Sequence, residues 1–198
     1  MRRLLVSSAA CAAIFVAGCG SGSSGSSSTS SSKPPNPNAP EHSPPGDIPD
    51  NQAFVAYTPP GAGYTVKVPE GWSRTAAAGA VSFTDKLNTV RLDRAAASAA
   101  PTVAGVRRTE LPQLARREQG FKGARVTTVH RNAGPAVRIT YLARSTPDPV
   151  TGKSRVDAVE RYLFFHNGHE AVVTLSGPKG ADNVDPWRTI TDSLRWTG

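Results

Sequence analysis

Histidine, serine and acidic residues are the side chains here with the means for acid–base, nucleophilic or metal chemistry, and their spacing decides whether they can act together. His130, His166 and His169, with Glu170 beside the last, form the metal-capable set. No two of these histidines stand four apart as ligands on one helix face would. His166 and His169 flank Asn167-Gly168, a turn signal, so solvated turn histidines are the expectation. A Ser/His/Asp set can be assembled from Ser176, His130 or His169, and Asp182 or Asp185. No G-x-S-x-G elbow surrounds that serine, and Gly177-Pro178 follows it where a strand should end. The chain is therefore read as non-enzymatic, with no catalytic residue, no metal site and no cofactor.

Two loops carry the remaining chemistry. Gly177-Pro178-Lys179-Gly180 has the look of a phosphate cradle, but P-loop spacing is absent and the proline lacks an N–H. Lys179 near the start of a helix is still a candidate anion contact. The stretch Ser145 to Arg155 (STPDPVTGKSR) is the longest interruption among the strands and should expose Asp148, Lys153 and Arg155. Long loops on a rigid sheet often carry binding, so Asp148, Lys153, Arg155 and Lys179 are the candidate binding-loop residues.

The two cysteines are Cys11 and Cys19. Arg2 and Arg3 precede an apolar run of roughly 15 residues, shorter than the ~20 a spanning helix needs, which favours a secretory signal. Val16-Ala17-Gly18-Cys19 closes that run. The pattern resembles the bacterial lipoprotein signal. The resemblance implies cleavage between Gly18 and Cys19, diacylglyceryl transfer to the Cys19 thiol, and a membrane anchor through that lipid. Acyl chains contribute about 0.8 kcal/mol per buried methylene, so two or more hold a protein where one holds it marginally. With Cys11 removed and Cys19 lipidated, the mature domain has no thiol for a disulfide, a nucleophile or a metal.

The 198 residues carry 23 Lys+Arg against 15 Asp+Glu, and loss of Arg2 and Arg3 with the signal leaves 21 against 15. A moderately basic surface outside a membrane suits anionic headgroups, wall polymers or acidic protein faces. The arginine blocks with interleaved aromatics typical of nucleic-acid binding are missing, so no nucleic acid is expected. From Gly20 to about Asp50 the sequence is Ser/Gly-rich and then Pro-rich. It reads as a flexible coil followed by a stiffer spacer. Gly20 to Gly25 spells G-x-G-x-x-G, but no strand precedes it and no helix follows, so it is not a dinucleotide site. The expected organisation is 1–18 signal peptide, 19–52 lipidated cysteine and tether, and 53–198 folded domain.

Within that domain Phe54 to Tyr57 reads as a short strand and Tyr64 to Val68 alternates as a half-buried one. Ala80 to Thr84 and Asn88 to Leu92 form a hairpin around Asp85-Lys86. A helical stretch lies between Thr102 and Gln119. It is either kinked or split in two, with Thr109 capping a second segment that has Pro112 in its first turn. Ala124 to Arg131, Pro135 to Ala143, Val156 to His166 and Glu170 to Leu175 read as strands. Asp185 and Pro186 should open a last helix whose apolar face is Trp187, Ile190 and Leu194. The fold class is α+β, an antiparallel sheet with two main helices. Tyr162 and Phe164 share one strand face and Phe165 the other. That second face would line an apolar pocket if no helix covered it.

Tyr64-x-Val66-x-Val68-Pro69-x-Gly71-Trp72, followed by a hairpin, a helix, four strands and a terminal helix with Trp187 and Trp196, resembles the PsbP/Mog1-like fold. With the lipobox and tether, the chain resembles the LpqN-type lipoproteins of actinobacteria. The resemblance implies a non-catalytic binding or adaptor module on the outer face of the cell membrane, with a protein or cell-envelope partner. The alternative is a carrier or sensor of a small apolar or anionic ligand.

Overall fold

Short alternating stretches punctuated by glycine turns become strands. In chain order these are β1 (Phe54–Tyr57), β2 (Tyr64–Pro69), β3 (Ser73–Ala77), β4 (Ala80–Asp85) and β5 (Asn88–Ala96). Two helices follow, α1 (Val103–Arg108) and α2 (Glu110–Arg117), and then β6 (Lys122–Arg131), β7 (Gly134–Arg144), β8 (Val156–His166) and β9 (His169–Pro178). Helix α3 (Val184–Asp192) and β10 (Arg195–Trp196) close the chain. The computed structural model describes residues 45–197. The expected signal peptide, Gly18, Cys19 and most of the expected tether lie outside the described residues.

Seven strands form one antiparallel sheet in the order β3-β4-β5-β9-β8-β7-β6, and β1-β2-β10 form a second, smaller one. The turn at Asn167-Gly168 takes φ 45° and 79°, the left-handed pair that Asn-Gly supplies to a two-residue hairpin. Strands β9 and β8 sit centrally and are apolar on both faces, as strands covered on both sides must be. The link from β5 has to reach β6 at the far edge. Helices α1 and α2 make that crossing, and this lays them over one face of the sheet. Val106 and Leu114 pack there against Val126, Ile139, Tyr141, Val159 and Leu163. The opposite face carries Leu92, Tyr162, Phe164, Val173 and Leu175, closed over by Tyr64, Val66 and Val68 of β2 and by Trp187, Ile190 and Leu194. Both faces are covered. On the face carrying Phe165 the helices leave a space beneath α2 that is lined mostly by charged residues, in place of the apolar pocket expected.

The α+β antiparallel architecture is the one expected, and local details differ. The helical stretch is two segments. Thr102 caps α1 by accepting the Gly105 N–H at 3.0 Å. Thr109 does not cap α2, because its hydroxyl donates back to the Gly105 carbonyl. In α3 the residue before the helix is Asn183, and Asp185 lies within the first turn. Leu194 falls just beyond the helix yet is fully buried. Strands β3 and β10 had no signal. All five residues of β3 are exposed, so no apolar alternation marks it, and β10 is two residues long.

Residues 46–52, expected to end the tether, belong to the folded part. Ile48 is in the core, and its N–H donates to Asn183 Oδ1 at 2.7 Å. The Gly46 carbonyl accepts from Asn88 Nδ2 at 2.9 Å and Asn183 Nδ2 at 3.0 Å, and Asn183 Nδ2 also donates to Asn88 Oδ1. This polar knot explains Gly177. A Cβ there would collide with the Asn88 carboxamide oxygen, so only glycine lets β9 pass.

Candidate functional site

The loop between β7 and β8 is built from its own hydrogen bonds. Ser145 N–H donates to the Arg155 carbonyl, and Arg155 N–H returns to Ser145 Oγ. Asp148 organises the tip. Its carboxylate accepts from the N–H groups of Thr151 at 2.7 Å and Val150 at 3.0 Å and from the Thr151 hydroxyl. Those donors hold the carboxyl below the usual aspartate range, with the Thr151 N–H the largest cause. The Asp148 carboxylate is therefore committed to the turn.

Arg155 leans inward. It donates to the Leu87 carbonyl at 2.7 Å and lies 2.8 Å from the buried Asp157 carboxylate. Burial raises the Asp157 carboxyl, with Arg155 opposing. Asp148 and Arg155 thus share a pocket of about 460 Å³ with Lys86, Leu87, Glu118 and Ser176. Lys153 and Lys179 are exposed and do not line it. Lys179 N–H is used by the Val156 carbonyl. The anion site suggested at the start of α3 is acidic instead. Asp47 Oδ1 accepts the Asp182 N–H at 2.9 Å, and Asp185 stands in the helix's first turn.

A second pocket of about 360 Å³ adjoins the first through Glu118 and lies between α2 and the sheet. Its charges are paired. Arg91 clasps Asp93 with two bonds, at 2.7 and 3.0 Å. Arg161 donates to Glu110 at 2.9 Å and to the Thr174 hydroxyl at 2.8 Å. Leu114 and Tyr141 form its apolar side, and burial pushes the Tyr141 hydroxyl up to about 12. Glu170 nearby is raised, first by burial and then by the Glu110 carboxylate, with Arg161 opposing. Sequence reading missed this cluster because its members come from β5, α2, β8 and β9. One signal was available: Arg161 stands between Val159 and Leu163 on the inward side of a strand, where a charge needs a partner.

Of the sets considered from sequence, the histidines find other partners and His169 is far from Ser176. His166 stacks on Trp196 with centroids 5.2 Å apart, and His169 lies against the Arg94 guanidinium at 2.9–3.0 Å. Ser176 is seven residues along the same strand from His169, about 23 Å at strand rise. Among the described residues no group of three His, Cys, Asp or Glu side chains is placed to hold a metal ion.

Fold and site together define an α+β domain with a polar groove in which Arg91, Arg155 and Arg161 are paired with acids. The chain belongs to the family described as serine/threonine kinase C-terminal domain, whose model matches residues 59–191. That description says where such a domain sits in the kinases that carry it, and the match brings no kinase chemistry to this chain. No curated protein matches the chain. Among the solved structures that resemble it are three with named proteins. The Saccharomyces cerevisiae Ran-binding protein Mog1p has 10% identity and TM-score 0.49, covering 74% of this chain and 96% of its own. Synechocystis PsbP has 15% identity and TM-score 0.47, covering 73% and 93%. Mycobacterium tuberculosis LpqN, involved in cell envelope biogenesis, has 13% identity and TM-score 0.45, covering 75% and 93%. The proteins named from the sequence are thus among its structural neighbours. The family whose model matches is the serine/threonine kinase C-terminal domain family.

Proposed function

We propose that this chain is a non-catalytic binding module held by lipid on Cys19 at the outer face of the cell membrane, with a protein or cell-envelope partner and no nucleic acid. The observation that supports it is the groove beneath the 145–155 loop. It is polar, and Arg91, Arg161 and Arg155 within it are engaged by Asp93, Glu110 and Asp157. Such a groove recognises; it does not react. In this reading the domain is a membrane-tethered counterpart of one that the kinases of its family carry at their C-terminal end. A second reading, carriage of a small polar ligand, is favoured by pocket volumes of about 360 and 460 Å³, within the range of small-molecule sites.

Cys19→Ala should shift the protein from the membrane pellet to the soluble fraction without changing the unfolding of the domain. Retention in the pellet after a high-salt wash, which strips electrostatic contacts, would refute lipid anchoring. Native mass spectrometry of residues 40–198 separates the two readings. A co-purified small molecule would establish the carrier, and a bare mass leaves the binding module, to be followed by cross-linking on intact cells.

A further inference from the structure

The net positive charge of this domain comes from one stretch of the chain. Between residues 107 and 144 there are nine Lys+Arg and two Asp+Glu, while the rest of 45–197 has eleven against twelve. The nine belong to α1, α2, β6 and β7; of these, Arg131 and Arg138 lie on the face away from the helices, where Asp192 and Glu160 hold them. Arg107, Arg108, Arg116, Arg117, Lys122 and Arg125 are all exposed. These elements are held together. Arg107 donates to the Val126 carbonyl, and Arg144 N–H donates to the Gln119 carbonyl at the end of α2. The two acids are occupied, Glu110 by Arg161 and Glu118 by Arg117. With Arg117 held by Glu118, Arg107, Arg108, Arg116, Lys122 and Arg125 remain as a basic rim along α1, α2 and the start of β6.

We propose that this rim docks the domain on an anionic phospholipid surface. Protein interfaces gather apolar and aromatic anchors at their centre and exclude charge from it. The exposed large hydrophobics among the described residues are Val55, Val150, Val156 and Val184, and none lies on α1, α2 or β6. A contact made of charge alone suits a plane of fixed phosphates, where each lysine or arginine adds a similar increment. The proposal rests on the anchoring reading for its setting. The chain between Cys19 and Gly46 can hold the domain no farther than about 90 Å from an anchored Cys19, so weak attraction suffices once binding is intramolecular.

The test uses residues 40–198 without a lipid, which separates docking from anchoring. The compact unit formed by these residues contains both clusters of the core. Co-sedimentation with phosphatidylglycerol vesicles at low salt should pellet the domain, whereas phosphatidylcholine vesicles should leave it in solution, and added salt should release it. The pair Arg116→Glu and Lys122→Glu should lower partitioning at least about tenfold. Lys67→Glu with Lys179→Glu, exposed on other elements, should change it far less. Unaltered thermal unfolding certifies each variant. Indifference to anionic vesicles, or equal loss from both pairs, overturns the proposal. So does selective retention of an acidic protein or wall polymer by a domain that ignores the vesicles. None of these results bears on Cys19→Ala fractionation, which decides anchoring by itself.

Discussion

Asn183→Ala tests whether residues 46–48 are part of the cooperative fold. Asn183 is 2% exposed and Asn88 4%, and one carboxamide serves three partners: Ile48 N–H, the Gly46 carbonyl and Asn88 Oδ1. Alanine leaves the Ile48 N–H and Asn88 Oδ1 buried without partners, at about 1–3 kcal/mol each, while Gly46 keeps its bond from Asn88. The expected loss is about 2–6 kcal/mol. At about 2–4 °C per kcal/mol for a domain of this size, the melting temperature falls by about 4–24 °C. Asn88→Ala should cost less, because Asn183 retains its bonds to Ile48 and Gly46. The double variant should show a coupling energy of about 0.5 kcal/mol or more, since the two side chains share one network. The assay is thermal unfolding of residues 40–198 followed by tryptophan fluorescence, with amide exchange at Ile48 as the local reading. A loss below about 1 kcal/mol with unchanged Ile48 exchange would show that this strap is not integrated with the domain, and the reasoning would fail.

Two further perturbations examine the helix-covered face. Leu114 is 1% exposed at the centre of the α2 contact, so Leu114→Ala should cost about 2–5 kcal/mol in urea unfolding; a cost under about 1 kcal/mol would mean α2 is not seated on the sheet. Glu170 is raised by burial and by Glu110, so the folded state holds its proton more tightly than the unfolded chain does. Its stabilising contribution is full below the ordinary glutamate value and is lost as pH rises through the raised one. Glu170→Gln should flatten the pH dependence of stability in that window, and an unchanged slope would count against the burial of this carboxyl.

The sequence by itself determined the secondary structure wherever the signal is local. Alternation along β2, β7, β8 and β9 and the Asn167-Gly168 turn need only neighbouring residues, because period and turn geometry are properties of a short stretch. The α+β class follows from those elements in order. Tertiary structure decided everything that depends on who meets whom. Strand β3 was invisible because its residues are exposed on both faces, and it exists only through pairing with β4. Ile48 looked like tether because a lone isoleucine among prolines and aspartates has no period, and only Asn183, 135 residues away, makes it core. Of the candidate binding residues, Asp148 and Arg155 converge on a pocket while Lys153 and Lys179 remain on the surface, because the loop folds back onto Leu87 and Asp157. The Arg161–Glu110 and Arg91–Asp93 pairs at the groove are likewise products of packing. Sequence shows that the charges are present, and the path of the chain across the sheet decides which of them meet.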